Sequence, residues 1–364
     1  MIIRDITNYL ENIAPLPLQE SYDNAGLITG NKNDMITGVL ITLDTTPEVV
    51  DEAIGKNANL IISHHPIIFK GLKKITGSNY VEKTIIKAIK NNIAIYAIHT
   101  NLDNISEGVN AILCRKLGLI NCKTLLPAEN MLLKLVTFIP KKHFDTVSTK
   151  IFKAGAGHIG NYDNCGFNTE GIGTFRANEN TNPFVGEKGK THKEPEIRFE
   201  TIFPYFLKNK IIKALIETHP YEEIAYDIYT LNNTFDKTGA GMLGELKTEL
   251  PEIEFLKKIK TRLNSDIIRH TKPLNKVIKK VALCGGSGSF LLKQAIRKKA
   301  DIFISSDFKY HEFFDAENKI LIADAGHFET EQFTKELIFD ILTKKFNNFA
   351  CFLSKVHTNP INYL

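Results

Sequence analysis

The stretch LIISHHPIIFKG, residues 60–71, runs three apolar residues into a serine, two adjacent histidines and a proline. A short apolar run of this kind is the pattern of a strand buried on both faces, and the histidines then stand at its carboxyl end. On the amino side, GVLITLDTT (38–46) reads as a second such strand and PEVVDEAIGKNA (47–58) as a helix opened by proline. On the carboxyl side come a helix over YVEKTIIKAIKNN (80–92), the apolar run IAIYAI (93–98), HTNLD, and a helix over GVNAILCRKLG (108–118). Short continuous apolar strands alternating with helices predict a parallel sheet covered on both faces.

The same rhythm returns near the carboxyl end. KKVALC (279–284) is followed by GGSGS, a helix in FLLKQAIRKKA, strands in DIFIS and ILIADA (320–325), and a long helix from about Phe328 to Phe346. The segment between the two blocks has a different grammar. LLKLVTFIP, HFDTVSTKIFKAG, FETIFPYF, LKNKIIKALIET and EEIAYDIYTL read as two strand-helix-strand units of the split βαβ kind. Between them, GAGHIGNYDNCGFNTEGIGTFRANENTNPFVGEKGK is rich in glycine and asparagine and reads as a long loop with short hairpins. The expected fold is therefore α/β: a two-lobed core of residues 1–125 and 276–364 with parallel-rich sheets, and an α+β domain of residues 126–275 inserted into it. The 364 residues exceed the ~250–300 at which a single core stops growing.

Composition narrows the function. With 43% hydrophobic and 24% charged residues the chain has ordinary globular composition. No apolar stretch approaches the ~20 residues of a membrane span. MIIRDITNYLENIAPLP lacks a basic region followed by an apolar block, so no secretory signal is expected and the expected compartment is the cytoplasm. The five cysteines are scattered and never form a Cys-x-x-Cys pair, which argues against a disulfide framework or a thiolate zinc site. A formal charge of +5 with dispersed lysines gives no nucleic-acid footprint.

In open α/β sheets ligands bind beyond the carboxyl ends of the strands. His64 and His65 follow NLIIS, His99 and Asp103 follow IAIYAI, GGSGS follows VALC, Ser306 and Asp307 follow DIFIS, and His327 and Glu331 follow ILIADA. Four of the eleven histidines are thus gathered at strand ends. His327 and Glu331, four apart at a helix start, project from one face. Adjacent His64 and His65 in a non-helical turn can point apart, which suits two metal ions better than one. Imidazole and carboxylate ligands fit zinc, manganese, iron or cobalt, and pairs of such ions about 3.5–4 Å apart are common in hydrolytic sites. His143, His158, His192, His270 and His357 read as structural.

Six motifs, SYDNAGLITG, IISHHPIIF, HTNLD, GGSGS, SSDFKYHEFFDA and DAGHFETE, stand in this order, and the chain resembles the Nif-three-like dinuclear-metal proteins, also called GTP cyclohydrolase I type 2 homologues. The middle segment, with GAGHIGNYDNCGFNTEGIGTFR and THPYEEIAYDIY, resembles the ferredoxin-like, CutA-like insertion of the longer bacterial members. The resemblance implies two divalent metal ions per subunit and a toroidal homohexamer whose sites face an inner cavity. It carries the metal ligands onto His64, His65, Asp103, His327 and Glu331, with His99 as a further ligand or catalytic partner. His311 falls where the family keeps a histidine near the metals, as proton carrier or as structural hydrogen-bond partner. Tyr22, Asp23 and Asn24 line the substrate pocket or form a side-chain-stabilised turn. Gly286 and Ser287 of GGSGS cradle a substrate phosphate or form a tight turn. The implied function is a dinuclear metal-dependent hydrolase of a small nucleotide or phosphorylated substrate. Hydrolytic opening of the guanine ring of GTP, with release of formate, is the named possibility. The alternative is a non-enzymatic metal-binding or regulatory protein.

Overall fold

A computed structural model describes residues 1–364. Helix α1 (Ile3–Ile13) precedes β1 (Gly26–Thr29) and β2 (Val39–Thr42). Helix α2 (Pro47–Gly55) joins β2 to β3 (Leu60–Ser63), and α3 (Tyr80–Lys90) joins β3 to β4 (Ala94–Ala97). The short α4 (Thr100–Asp103) and α5 (Val109–Leu117) lead to β5 (Leu119–Ala128). Next come β6 (Leu132–Pro140), α6 (Phe144–Lys153), β7 (Gly166–Arg176), β8 (Thr191–Pro204), α7 (Lys208–Thr218) and β9 (Tyr226–Leu231). The chain closes with β10 (Phe235–Pro251), α8 (Glu252–Arg262), β11 (Arg269–His270), β12 (Val277–Ser287), α9 (Leu292–Arg297), β13 (Ile302–Ser306), β14 (Leu321–Asp324), α10 (His327–Glu331), α11 (Thr334–Lys345) and β15 (Cys351–Leu353). None of the helices is long and apolar enough to cross a membrane.

Two compact units result, one of Met1–Pro127 with Asp236–Leu364 and one of Ala128–Phe235. The larger unit holds two sheets. The first has the order β1-β4-β3-β2-β15, parallel except for β1 at its edge. The second has the order β11-β14-β13-β12-β10-β5, in which β12, β13 and β14 are parallel. The central strands bury residues of both faces, as their continuous apolar runs require. Ile41, Ile62 and Tyr96 pack inward with Leu283, Ile304, Leu113 of α5 and Ile338 of α11. On the opposite faces, Leu40, Ile61 and Ile95 pack under α2 and α3, and Ala282, Phe303 and Ile322 under α9.

Local chemistry sets the helix starts that hold these strands in place. Thr46 caps α2 by accepting from Val49 N, with Pro47 in the first turn, and Asn79 caps α3 by accepting from Glu82 N at 3.0 Å. The apolar pattern predicts one helix from about Phe328 to Phe346, but the chain bends at Gln332 and Phe333 into α10 and α11. The separate turn α10 carries His327 and Glu331.

The smaller unit runs β6-α6-β7-β8-α7-β9, with an antiparallel sheet in the order β7-β8-β6-β9. Its helices pack on one face through Val147, Ile151, Ile211 and Leu215 against Leu135 and Phe199. Its boundary differs from the expected residue 275. Strand β10 pairs with β12 and buries Leu243 and Leu246, and α8 buries Phe255 and Ile259, so residues 236–275 belong to the larger unit. The glycine-rich stretch expected to be mostly loop contains β7, paired with β8 from Gly166↔Thr201 to Arg176↔Thr191. Most β7 side chains are exposed, so no apolar alternation announces it.

Candidate metal centre

The carboxyl ends of β3, β4 and β14 deliver His64, His65, His99, Asp103, His327 and Glu331 to one place in the larger unit. Two triads share one carboxylate. His64, Asp103 and Glu331 form one, His65, His327 and Glu331 the other, and within each the ligand atoms lie within 4.8 Å of one another. Glu331 Oε1 is 3.8 Å from His64 Nε2, while Glu331 Oε2 is 2.9 Å from His65 Nε2 and 3.0 Å from His327 Nε2. His99 joins His64 and His65 in a third overlapping group, its ring 5.2 Å from that of His64.

Each imidazole is oriented through Nδ1, so that Nε2 faces inward. His64 Nδ1 donates to the Ile98 carbonyl at 2.8 Å, which fixes the proton on Nδ1 and leaves the lone pair on Nε2. His65 Nδ1 meets Asp44 Oδ1, His99 Nδ1 meets Asp23 Oδ1 and His327 Nδ1 meets Asp307 Oδ2, each at 2.7 Å. Carboxylates behind ligating histidines hold the ring and raise its basicity. Asp44 is itself held by the Thr358 hydroxyl at 2.7 Å, and Asp23 by Thr100 N and Oγ1.

Whether the donors suit a cation is decided by what they lack. His64 Nε2 and Asp103 Oδ1 are buried, 3.6 Å apart, and without hydrogen-bond partners. Buried polar atoms left in this state cost about 1–3 kcal/mol each, and an ion between them satisfies both. Burial, followed by the neighbouring Glu331 carboxylate, pushes Asp103 up to about 7. Glu331 is held well below the usual carboxylate range: burial opposes its ionisation, and His327, His64 and His65 outweigh that. Glu331, Asp307 and their hydrogen bonds raise His327 to about 11, and Asp44 and Glu331 raise His65 to about 10 against the pull of burial. The cluster is thus built to hold positive charge among its carboxylates, as protons or as metal ions. The donor set, nitrogen and oxygen without sulfur, fits zinc, iron, manganese or cobalt.

Glycines make room for the shared carboxylate. Gly286 has φ +60, and a Cβ there would overlap Glu331 Oε1. Its N–H donates to Thr330 Oγ1, so the GGSGS turn wraps the Glu331 helix turn. Gly285 and Ser287, together with Tyr22, Phe69, Phe290 and Phe328, wall a cavity of about 800 Å³ that opens onto the ligand cluster. Tyr22 and Phe69 face each other across 6.1 Å.

Four residues expected at the pocket or cluster lie elsewhere: Asp23 stands behind His99 and Gly286 against Glu331, neither in the cavity wall, and Asn24 and His311 are farther from the expectation. Asn24 donates to the Ile68 carbonyl and serves the turn instead of the cavity wall. His311 does not join the cluster within this chain. It is exposed in the turn Tyr310–Ala316 and contacts the rings of Tyr310 and Phe314, because Phe308 takes the inward position in this segment. Asp44 is a supporting residue that sequence reasoning missed, although LDTT follows the apolar run of β2 as HHP follows that of β3. Thr358 and the cavity-lining Asn359 and Ile361 had no signal in sequence, since they arrive from the carboxyl-terminal segment.

The profile of the family described as Duf34/NIF3 (NGG1p interacting factor 3) matches residues 1–360. A Bacillus subtilis protein named GTP cyclohydrolase 1 type 2 homolog is 38% identical over 99% of this chain and 98% of its own. The crystal structure of a Bacillus cereus protein related to NIF3 superposes with a TM-score of 0.86 at 38% identity, covering 100% of this chain and 99% of that one. A Staphylococcus aureus protein superposes with a TM-score of 0.79 at 30% identity, covering 100% and 99%. With the family profile matched along almost its whole length, the chain belongs to the Duf34/NIF3 family.

Proposed function

We propose that this protein is a dinuclear divalent-metal-dependent hydrolase of a small nucleotide or phosphorylated substrate. The observation that carries the proposal is the sharing of Glu331 between the two triads, one oxygen directed to each. His64, Asp103 and Glu331 Oε1 would hold one ion, and His65, His327 and Glu331 Oε2 the other. When bound, two such ions supply Lewis acidity that neutralises an anionic substrate and acidifies water. The remaining work falls to the chain. His99, tied to Asp23 through Nδ1, presents Nε2 beside the ligands and can carry a proton there. Tyr22 and Phe69 offer apolar faces to a planar base, and Gly285 and Ser287 bring the GGSGS turn to the cavity wall. The cavity of about 800 Å³ accommodates a nucleotide.

The name of the Bacillus subtilis relative makes guanine ring opening in GTP, with formate release, the first reaction to test. Protein purified without chelators and supplied with zinc, manganese, iron(II) or cobalt is incubated with GTP, other nucleotides and phosphate esters. Product formation that requires metal and disappears in Glu331→Gln supports the hydrolase. Binding of the same compounds without conversion supports the alternative of a metal-dependent regulatory protein. The proposal extends to a cytoplasmic toroidal homohexamer, with residues 128–235 as its CutA-like insertion, and sedimentation equilibrium of the full chain tests the assembly.

A further inference from the structure

The smaller unit has a cavity of its own, about 610 Å³, beneath β7 and beside the turn that follows α7. Three rings stand around it. The centroids of Phe175 and Phe184 lie 6.1 and 6.3 Å from that of Tyr221, with planes inclined by 59° and 50°. Rings at these distances and tilts are in mutual contact through Tyr221, and all three line the cavity, so part of its wall is aromatic.

Glu196 of β8 lies in the same wall and is only 7% exposed. Its Oε1 accepts from the Tyr221 hydroxyl at 2.8 Å, and its Oε2 has no protein partner. Space for that second oxygen depends on Gly173, where a Cβ would overlap it. Three of the five other charged residues in the wall are paired, and the remaining two, Arg176 and Glu223, carry opposite charges. Arg198 pairs with Glu200 at 2.9 Å, Glu170 pairs with Lys141 at 2.6 Å, and Glu222 accepts from Asn182 N at 2.8 Å. The second oxygen is thus free to meet a cation supplied by a ligand in the cavity. Metal is the poorer candidate, because the sets of three ligating side chains lie at the metal centre and none includes Glu196.

We propose that this cavity binds a small organic cation, an alkylammonium whose charge meets Glu196 Oε2 and whose carbon substituents pack on Phe175, Phe184 and Tyr221. Aromatic faces attract such a cation electrostatically and by contact, and the carboxylate supplies the full countercharge. A neutral ligand of the same shape fills the rings but leaves Glu196 unmatched, so the site discriminates by charge.

The test uses the full-length protein, with choline as probe and 3,3-dimethylbutan-1-ol as its neutral carbon isostere, by calorimetry and saturation-transfer NMR at constant ionic strength. The expected result is choline binding at least tenfold tighter than the isostere. Glu196→Gln, with circular dichroism unchanged, should weaken choline at least tenfold and remove the preference over the isostere. Phe175→Leu, which leaves the carboxylate in place, should also weaken choline and guards against a folding defect in the first variant. Equal affinities for the two probes, no binding of choline at millimolar concentration, or wild-type affinity in folded Glu196→Gln would each overturn the proposal.

Discussion

His64 Nε2 and Asp103 Oδ1 face each other across 3.6 Å, buried and without hydrogen-bond partners, although they come from the ends of different strands. Together with Glu331 they form the half of the centre that protein groups alone do not satisfy. Protein purified without chelators should carry about two divalent ions per chain. The double variant His64→Ala, Asp103→Ala should lose the ion of its own triad, His327→Ala should lose the other, and Glu331→Ala should lose both. Elemental analysis of folded protein reads this directly. Wild-type metal content in Glu331→Ala would remove the shared-carboxylate arrangement from consideration. Stripping the metal should also lower the melting temperature, because ions that bind only the folded state stabilise it by mass action.

Asp44 and Asp307 touch the ligating histidines only through Nδ1, at 2.7 Å each. Their removal leaves every ligand atom in the chain but frees two rings to rotate. Asp44→Ala and Asp307→Ala should each weaken metal binding by about 10–100-fold, measured by competition with a chelating dye. Thr358→Val should have a smaller effect of the same sign, since Thr358 acts on His65 only through Asp44.

The candidate ligands are legible in sequence because parallel sheets concentrate chemistry at strand ends, and LIISHHP, IAIYAIHTNLD and ILIADAGHFETE each show an apolar run breaking into polar donors. That logic reaches Asp44 as well, but one acidic residue in LDTT resembles a helix N-cap and carries no second signal. Thr358 lay beyond it, because an irregular carboxyl-terminal segment has no periodicity to place it. His311 shows the opposite limit. Its motif puts a histidine shortly after β13, but the φ of +59 at Asp307 and the inward packing of Phe308 turn the chain away before residue 311. The boundary at Phe235 was hidden because only Asn232, Asn233 and Thr234 separate β9 of the smaller unit from β10, which belongs to the second sheet of the larger one.

Gly286 combines φ +60 with a missing side chain exactly where the Glu331 carboxylate sits, so backbone and site fail together on substitution. Gly286→Ala should destabilise the protein by about 1–2 kcal/mol from the left-handed backbone alone, and by more if the carboxylate cannot move. It should also reduce bound metal, since the oxygen it displaces belongs to both triads' common ligand. Gly55, in the last turn of α2 with open space around its Cα, is the control. Gly55→Ala should be neutral or stabilising by up to about 1 kcal/mol. Urea unfolding with parallel metal analysis distinguishes the two.

Glu82 links acid stability to α3, the helix that covers β3 and β4. Its carboxylate accepts from Thr76 N at 2.8 Å, Ser78 N at 3.0 Å, the two hydroxyls of those residues, and Asn79 Nδ2 at 2.8 Å. The backbone donors of Ser78 and Thr76 are the main cause of its depression to about 2. A carboxyl group depressed in the folded state contributes stability that is fully present above its unfolded value near 4.5 and is lost as pH falls toward 2. The stability difference between wild type and Glu82→Gln should therefore be constant from pH 7 down to about 5 and shrink steadily below that, with its charge-dependent part reduced by about half at pH 3. Urea midpoints measured across this range provide the check. A difference that stays level down to pH 3 would mean that the amide accepts the same hydrogen bonds as well as the carboxylate, and that the charge at the start of α3 contributes nothing to holding the helix over the strands that carry His64 and His99.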